Sequence, residues 1–401
     1  MSAHTDKPRY TARWYNRAGI WIGIGVNPAA ITLGGNLATR LETPTLTWVV
    51  PIGAFFLWLA CFLAGLIGRR RRFTFVNWST ATFGAGIGAI LMNLTMALGL
   101  TGWSGFQMGL GGTSFANLMG INQATWIGVV GMGILVIILG NLEINKWNWF
   151  VWLTTLSSLA MAVIATIIAL QLDETVTLDP RPANFNIIFA AITSIITYAL
   201  LFALRSTDFT WDLISDRDVL IDATIFIIAF LISVIIGIML FQATGSPDLA
   251  FVLSGTPLAL MGKAFLFISL LSPALSSMLS GSLAWMAILK INYRTATVLL
   301  VGVGILLGLV RFDQSLLLFL DWLAAIIPAA VAIMLVYGLS KRDFSTKATL
   351  AGWMAGAIIA ITIKTFGGTF HFAIGATVGL IVLFAGNLLF ESEKQPNTPI
   401  G

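Results

Sequence analysis

Residues 101–112 read TGWSGFQMGLGG, and they lie inside an apolar segment of membrane-spanning length. Trp103 and Gln107 are four residues apart, so on a helix they share one face. That face offers a flat aromatic surface and an amide group that both donates and accepts hydrogen bonds. The surrounding glycines have no side chains and leave room for a small molecule. The stretch therefore predicts a binding surface for a flat polar ring within the membrane.

The composition places the whole chain in a lipid environment. Apolar residues make up 58% of the 401 residues and charged residues only 10%, and the mean hydropathy is +0.92. Soluble domains carry roughly 25% charged residues. No polar stretch is long enough to form a soluble domain with its own core. The only cysteine, Cys61, lies in an apolar run, which excludes an internal disulfide.

Twelve apolar segments are long enough to cross a bilayer, so we predict an all-α integral membrane protein with about twelve transmembrane helices. Their approximate limits are 18–39, 46–68, 81–115, 122–141, 148–171, 186–205, 220–242, 257–289, 295–311, 315–338, 348–366 and 369–389.

The distribution of basic residues predicts the topology. Of the 22 Lys and Arg residues, 17 fall in the two tails and in the loops on one side of the predicted membrane, which leaves 5 elsewhere. Cytoplasmic loops carry such an excess. We therefore expect a multi-pass protein of the cell (plasma or inner) membrane with both termini in the cytoplasm. The net charge of +5 reflects this topology and does not indicate a nucleic-acid partner.

The first predicted span contains a helix breaker at its centre. Pro28 has no backbone N–H and disfavours helical geometry at Asn27. A break near residues 25–28 would free backbone carbonyls, including that of Gly25, to ligate a cation, and the Asn27 amide could face a substrate. The alternative is a simple proline kink, which membrane helices tolerate.

Polar residues in two later spans are candidate ion sites. The hydroxyls of Ser276 and Ser277 belong to a serine-rich patch of the eighth span, where they could hold Na⁺ or contact a neighbouring helix. Asp321 is a carboxylate within the tenth span. It could carry a proton, contact a substrate, or lie at the membrane interface.

The polar loop at 205–219 has an acidic repeat. Asp208, Asp212 and Asp216 recur every four positions, as on one face of a helix. The pattern predicts a short cytoplasmic surface helix. The alternative is an intracellular gate formed by ion pairs between these carboxylates and the basic loops.

Three segments resemble the nucleobase–cation symporters, the family of cytosine, allantoin and hydantoin permeases. WSGFQMGLGG at 103–112 resembles the third-helix pattern of the family, and FLDWLAAIIP at 319–328 is similar to the tenth helix of cytosine permeases. The third segment is the first span, with Asn27-Pro28 followed by GGNLA at 34–38. Length, span count and topology agree along nearly the whole chain.

The resemblance implies an inverted-repeat transporter with alternating access. It implies a ten-helix core at 18–338, built from repeats at about 18–171 and 186–338. Two peripheral helices follow at 339–389, and cytoplasmic tails lie at 1–17 and 390–401.

In this family the third-helix tryptophan stacks on the substrate ring and the glutamine binds the edge of the ring. Those roles map onto Trp103 and Gln107. An aromatic residue of the sixth helix lies on the opposite face of the ring, and the candidates here are Tyr198 and Phe202. Unlike the cytosine permeases, the centre of the sixth span contains no glycine.

We therefore expect a secondary transporter that imports a nucleobase-like or related flat nitrogen heterocycle with Na⁺ or H⁺. We expect no enzymatic activity and no cofactor beyond the coupling ion. The sequence does not specify the oligomeric state. Two alternatives remain: a transporter of the same fold for amino acids or amines, and a membrane sensor that binds a ligand without translocating it.

Overall fold

The computed structural model describes residues 12–141, 147–171, 184–254, 259–340 and 344–389. Over these ranges the chain is almost entirely helical. The predicted tails at 1–17 and 390–401 lie mostly outside the described residues. In chain order the helices are α1 Trp14–Gly25, α2 Pro28–Ala38, α3 Thr43–Arg71, α4 Phe75–Phe83, α5 Ile87–Leu118, α6 Thr125–Gly140, α7 Trp147–Gln171, α8 Phe185–Tyr198, α9 Leu200–Arg205, α10 Thr207–Thr210, α11 Asp216–Thr244, α12 Leu249–Ser254, α13 Ala259–Leu289, α14 Tyr293–Leu309, α15 Leu316–Leu339, α16 Thr346–Thr365 and α17 His371–Leu389.

The helices account for the twelve predicted spans. Among the described residues, ten segments are long and apolar enough to cross a membrane, with α1 and α2 forming one of them and α8 and α9 another. Two shorter apolar helices, α6 and α14, bring the number to twelve. The prediction of an all-α membrane protein is confirmed.

The third span does not begin where the sequence pattern placed it. The prediction joined residues 81–115 into one helix, whereas α4 ends at Phe83 and α5 begins at Ile87. Gly84 adopts a φ of +79°, which side-chain-bearing residues rarely tolerate. The sequence did not predict this turn, because glycines at 84, 86 and 88 in an apolar segment are equally typical of close helix packing.

The first span breaks at the predicted place. α1 ends at Gly25 and α2 begins at Pro28, the helical position that proline favours. The Asn27 Oδ1 atom caps α2 by accepting a hydrogen bond from the backbone N–H of Ala29 at 2.9 Å. The local chemistry at this position, an N-cap residue followed by proline, therefore produces two half-helices within one span.

The sixth span is also interrupted, although its sequence has no breaker. α8 ends at Tyr198, and Ala199 leaves helical geometry with φ −121° and ψ 21°. α9 then continues for six residues to Arg205. Alanine is the strongest helix former, so local propensity does not explain this break. The two interrupted spans are the ones that the fold brings to the site described below.

Glycines allow the half-helix α2 to approach α11 closely. A Cβ atom added at Gly34 would lie 2.1 Å from the carbonyl oxygen of Val234, and one added at Gly237 would lie 1.9 Å from that of Ile31. Both contacts are backbone contacts that a side chain would abolish. Small residues that permit backbone approach are typical of helix association in membranes.

The acidic loop differs from the predicted surface helix. α10 covers only Thr207–Thr210, and Asp216 already belongs to the first turn of α11. The prediction of one short surface helix that carries Asp208, Asp212 and Asp216 on one face is therefore wrong. Two of the three carboxylates form ion pairs: Asp212 Oδ2 lies 2.7 Å from Arg17 Nη2, and Asp216 lies 2.7 Å from both Arg69 and Arg70. The gate formed by such pairs stays a prediction.

A candidate substrate site at two helix breaks

A small cavity lies where the two interrupted spans meet α5 and α13. Its volume is about 40 Å³. The lining residues come from both breaks, from α5 and from the centre of α13: Ile24, Asn27, Leu100, Trp103, Gln107, Tyr198, Ala199, Leu201, Phe202, Arg205, Pro273, Ser276 and Ser277. Most of the sequence-predicted substrate and ion residues are in this set, although they are separated by up to 250 positions along the chain.

Trp103 is held in position by three aromatic rings. Its indole makes edge-to-face contacts with Phe106, Tyr198 and Phe319, with ring centroids 5.3–5.8 Å apart and interplanar angles of 73–82°. Such T-shaped pairs are favoured by the charge distribution of aromatic rings. The indole is 8% exposed, so it is fixed within the core and still lines the cavity.

Gln107 lies one turn further along α5 and has one unpaired polar atom. Its Nε2 donates a weak hydrogen bond to the Ser277 hydroxyl at 3.4 Å, whereas its Oε1 has no hydrogen-bond partner. The residue is 3% exposed. An unpaired acceptor at such a depth costs about 1–3 kcal/mol. Gln107 Oε1 is therefore free to accept a hydrogen bond from a ligand.

Both aromatic candidates of the sixth span line the cavity. Tyr198, at the end of α8, contacts Trp103 and also lies 5.1 Å from the Phe230 ring. Phe202, one turn beyond the break, packs edge-on against Trp21 with centroids 5.0 Å apart. The geometry brings either ring to the site, so the choice between them stays open.

Arg205 is a site residue that the sequence reasoning missed. Its Nη2 donates to the backbone oxygen of Ser276 at 2.7 Å and to the Ser276 hydroxyl at 2.6 Å. Its guanidinium lies 5.8 Å from the Phe202 ring centroid and 5.3 Å from that of Phe209. The residue is 2% exposed, and its Nε has no hydrogen-bond partner. Its place at the end of the predicted sixth span made it look like a cytoplasmic loop charge.

The predicted ion residues fall into two places. Ser276 and Ser277 line the cavity beside Arg205 and Gln107. The Gly25 carbonyl lies just outside it and accepts hydrogen bonds from the Ser233 hydroxyl at 3.2 Å and from the Asn27 backbone N–H at 3.0 Å. A side chain at Gly25 would collide with α11, because an added Cβ would lie 2.6 Å from that of Ala229.

Asp321 is not among the residues that line the cavity. It lies near the start of α15, where its carboxylate pairs with Lys364 of α16 and lies 3.2 Å from His371 Nε2 of α17. Its side chain is 43% exposed. The cluster therefore connects the core helix α15 to the last two helices of the chain.

A second carboxylate within a membrane-spanning helix was missed. Asp222 of α11 is fully buried, and neither oxygen of its carboxylate has a hydrogen-bond partner within normal geometry. Its nearest charges are those of Asp218 and Arg17. Asp222 is only the third residue of the predicted span, a position at which the sequence pattern indicates the membrane interface.

A second, larger cavity has a volume of about 1090 Å³. It is lined by Thr74, Phe75, Val76, Gly140, Asn141, Asp208, Phe209, Trp211, Leu279, Ser280, Leu283, Met286, Ala287, Asn292, Tyr293 and Arg294. Several of these residues belong to loops that the positive-inside rule predicts to be cytoplasmic. Phe209 of this cavity contacts the guanidinium of Arg205, which lines the small one.

Asp208 lines the larger cavity beside Phe209. Its Oδ1 accepts a hydrogen bond from the backbone N–H of Phe75 at 2.7 Å. Burial raises the pKa of Asp208 to about 6, against the opposing effects of the Phe75 N–H, the Arg205 charge and the Ser280 hydroxyl. The carboxylate is the nearest acidic group to Arg205 along the chain.

No protein-family model and no curated protein matches the chain by sequence. Solved structures do match its fold. Mhp1, a nucleobase-cation-symport-1 family transporter in a closed conformation with bromovinylhydantoin bound, superposes with a TM-score of 0.75 over 97% of this chain and 96% of that chain, at 16% identity.

Two further transporters match along most of their length. A Na⁺-coupled sialic acid symporter in a substrate-bound outward-open state has a TM-score of 0.67 at 14% identity, over 95% of this chain and 90% of that chain. A manganese transporter of Eremococcus coleocola has a TM-score of 0.62 at 12% identity, over 94% of this chain and 93% of that chain. At these identities the matches show a shared fold. The predicted resemblance is confirmed at that level: the chain has the inverted-repeat fold of membrane transporters such as Mhp1.

Proposed function

We propose that this protein is a secondary active transporter that imports a nucleobase-like or related flat nitrogen heterocycle by cation symport. The observation that carries the proposal is the buried pair of Trp103 and Gln107 at the meeting point of two helix breaks. Interrupted helices near the bilayer midplane are where transporters of this kind build their substrate sites.

The chemistry of the pair suits a flat ring with polar edges. Stacking of a base on an aromatic side chain contributes about 1–3 kcal/mol and accepts many rings. An N–H group on the ring edge would satisfy the unpaired Gln107 Oε1. Asn27 uses its Oδ1 to cap α2, which leaves its side-chain NH₂ as a donor to a ring carbonyl. The hydantoin bound to the fold neighbour Mhp1 is a ring with this pattern of groups.

The two cavities support alternating access. Ligand sites usually measure about 300–1,000 Å³, so a cavity of about 40 Å³ must widen to accept a ring. The larger cavity lies toward the predicted cytoplasmic ends of the helices, beyond Arg205 and Phe209. We therefore infer a contracted site whose route to the cytoplasm is blocked by those two side chains.

The coupling ion of the proposal is Na⁺ or H⁺. The Na⁺ candidates are the Gly25 carbonyl with Ser276 and Ser277. For H⁺, Asp321 remains a candidate, but Asp222 is the better placed one, because it is fully buried within a spanning helix. Carboxylates inside a membrane are costly and often serve proton transfer.

One observation favours an amino acid as a second candidate substrate. A buried guanidinium and the N-terminus of α2 both attract a carboxylate. The ring candidate is preferred because three aromatic side chains, those of Trp103, Tyr198 and Phe202, line the cavity. The non-translocating sensor is the remaining alternative, and only an uptake measurement distinguishes it from a transporter.

Thermal stabilisation of the purified protein tests the substrate class. A ligand that binds only the folded state raises its stability by mass action. Uracil, hydantoin, allantoin and neutral amino acids are compared in wild type, in Trp103→Ala and in Trp126→Ala, whose side chain is 59% exposed on α6. We expect a ring-specific rise in melting temperature that only Trp103→Ala removes. A response to amino acids alone would overturn the heterocycle proposal.

A further inference from the structure

We infer that the guanidinium of Arg205 takes the place of a coupling Na⁺, so that ligand binding at this site does not depend on sodium. The inference rests on the proposed function for the identity of the ligand, but the contacts that carry it are independent of any ligand. These contacts lie between the break of the first span and α13. The sequence predicts a cation site there, formed by the Gly25 carbonyl and the hydroxyls of Ser276 and Ser277.

Arg205 binds the kind of oxygen atoms that Na⁺ would require. Hard cations bind carbonyl and hydroxyl oxygens in proteins. The Arg205 Nη2 atom lies 2.7 Å from the Ser276 carbonyl oxygen and 2.6 Å from its hydroxyl oxygen. One protein cation therefore already holds both oxygens of the serine at the centre of the predicted site.

The other predicted ligands have protein partners as well. The Gly25 carbonyl accepts from Ser233 Oγ and from the Asn27 backbone N–H. The Ser277 hydroxyl accepts from Gln107 Nε2. A sodium ion would have to displace hydrogen bonds at the Gly25 carbonyl and would compete with Gln107 for the Ser277 hydroxyl, and it gains no carboxylate in return among the residues lining the cavity.

The positive charge of Arg205 also disfavours a sodium ion at this position. A guanidinium remains charged under all physiological conditions. A Na⁺ ion bound to Ser276 would lie within a few ångströms of that charge, in a region with little water to screen it. Repulsion at such a distance strongly disfavours the ion, whereas the positive charge that it would supply is already present.

The position of Arg205 also gives it a role toward the ligand. It is the last residue of α9, the short helix that follows the break at Ala199. Its guanidinium lies near both the Phe202 and Phe209 rings. Its unpartnered Nε and the unpartnered Gln107 Oε1 offer one donor and one acceptor in the same cavity. A ring amide, with adjacent C=O and N–H groups, satisfies both. Of the two cations in the proposed function, this leaves H⁺ for coupling.

The test compares sodium with choline at constant ionic strength in purified full-length protein. Melting temperature is measured from zero to about 200 mM Na⁺ without ligand, and then with the stabilising ring. We expect the same melting temperature in both salts, and ring affinities that agree within twofold. A saturable rise specific to Na⁺, or a tenfold gain in ring affinity, would overturn the inference.

Two variants sharpen the comparison. Arg205→Ala frees the Ser276 oxygens, and we expect its ring affinity to rise at least threefold with Na⁺. Arg205→Lys keeps a cation and should stay indifferent to sodium. If Arg205→Ala binds the ring with an affinity that does not depend on Na⁺, the inference that Arg205 takes the place of Na⁺ is contradicted. If no ring stabilises any variant, the proposed function fails, and the ligand-free sodium titration of the wild type still decides the inference.

Discussion

At the scale of single residues, two residues that line the small cavity each carry an unpaired buried polar atom. Buried polar groups in proteins nearly always have hydrogen-bond partners. Gln107 Oε1 and Arg205 Nε lack one and belong to residues that line the same cavity. Each lowers the stability of the ligand-free protein, and a ring with complementary edge groups would remove both penalties. Function, rather than stability, explains their presence.

Gln107→Leu should therefore move stability and binding in opposite directions. The leucine removes an unpaired buried acceptor at nearly the same volume, so we expect an unchanged or slightly raised melting temperature without ligand. Ring affinity should fall about 10–100-fold, the equivalent of a lost hydrogen bond to a desolvated group. Thermal shift and equilibrium binding measure the two effects.

The matched control is Gln123→Leu, at an exposed position between α5 and α6. It should leave ring affinity unchanged. Equal affinity of Gln107→Leu and wild type would remove Gln107 from the binding site.

Individual site residues differ in whether the sequence could predict them. Trp103 and Gln107 are recognisable because four-residue spacing places them on one helix face, and Asn27 because a proline follows it. Arg205 was not recognisable. A basic residue at the end of an apolar segment reads as a topology signal, and only the tertiary contact with Ser276 shows that it turns inward.

At the scale of helices, close backbone approach holds the first span against α11. The half-helix α2 has eleven residues, too few to cross a bilayer by itself, so packing against its neighbours must fix its position. Gly34 and Gly237 permit that packing from opposite sides of the contact. Because α2 follows directly from the capping residue Asn27, its position determines the position of one wall of the cavity.

Gly237→Ala should loosen this contact. The added methyl group would meet the Ile31 carbonyl oxygen at 1.9 Å, and overpacking of this kind costs about 1–3 kcal/mol. We expect a lower melting temperature and weaker ring binding. Gly302→Ala on α14 is the control, because no atom lies within 4 Å of the added Cβ. Equal melting temperatures of the two variants would refute the close contact.

The helix breaks differ in how far the sequence explains them. The break in the first span follows from Asn27 and Pro28, whose local chemistry ends one helix and begins the next. The break in the sixth span falls at alanine, and residues 186–205 contain neither glycine nor proline. Its cause must lie in tertiary contacts around Ala199, which a one-dimensional pattern does not contain.

At the scale of the whole molecule, ion pairs link the predicted cytoplasmic ends of distant spans. Arg17 of α1 pairs with Asp212, and Arg69 and Arg70 at the end of α3 pair with Asp216. Partly exposed pairs contribute only about 0.2–1 kcal/mol each. Such weak contacts are suited to a gate, since they bias a conformational equilibrium without locking it.

Asp212→Asn should open the cytoplasmic route more often. The substitution Ser277→Cys, in a Cys61→Ala background, provides a thiol whose rate of alkylation measures access to the cavity. Loss of one ion pair of about 1 kcal/mol should raise that rate by up to about fivefold, and high salt should reduce the difference. Glu42→Gln, at an exposed position before α3, should have no effect. An unchanged rate in Asp212→Asn would exclude this pair from the gate.

Accumulation of the stabilising ring in proteoliposomes tests the assignment of the cavity as a transport site most directly. Wild-type protein should concentrate the ring with saturable kinetics, and Trp103→Ala should abolish that uptake while Trp126→Ala, reconstituted to the same level, retains it. Uptake by Trp103→Ala at the wild-type rate would contradict the assignment of the substrate site to the cavity between the two helix breaks.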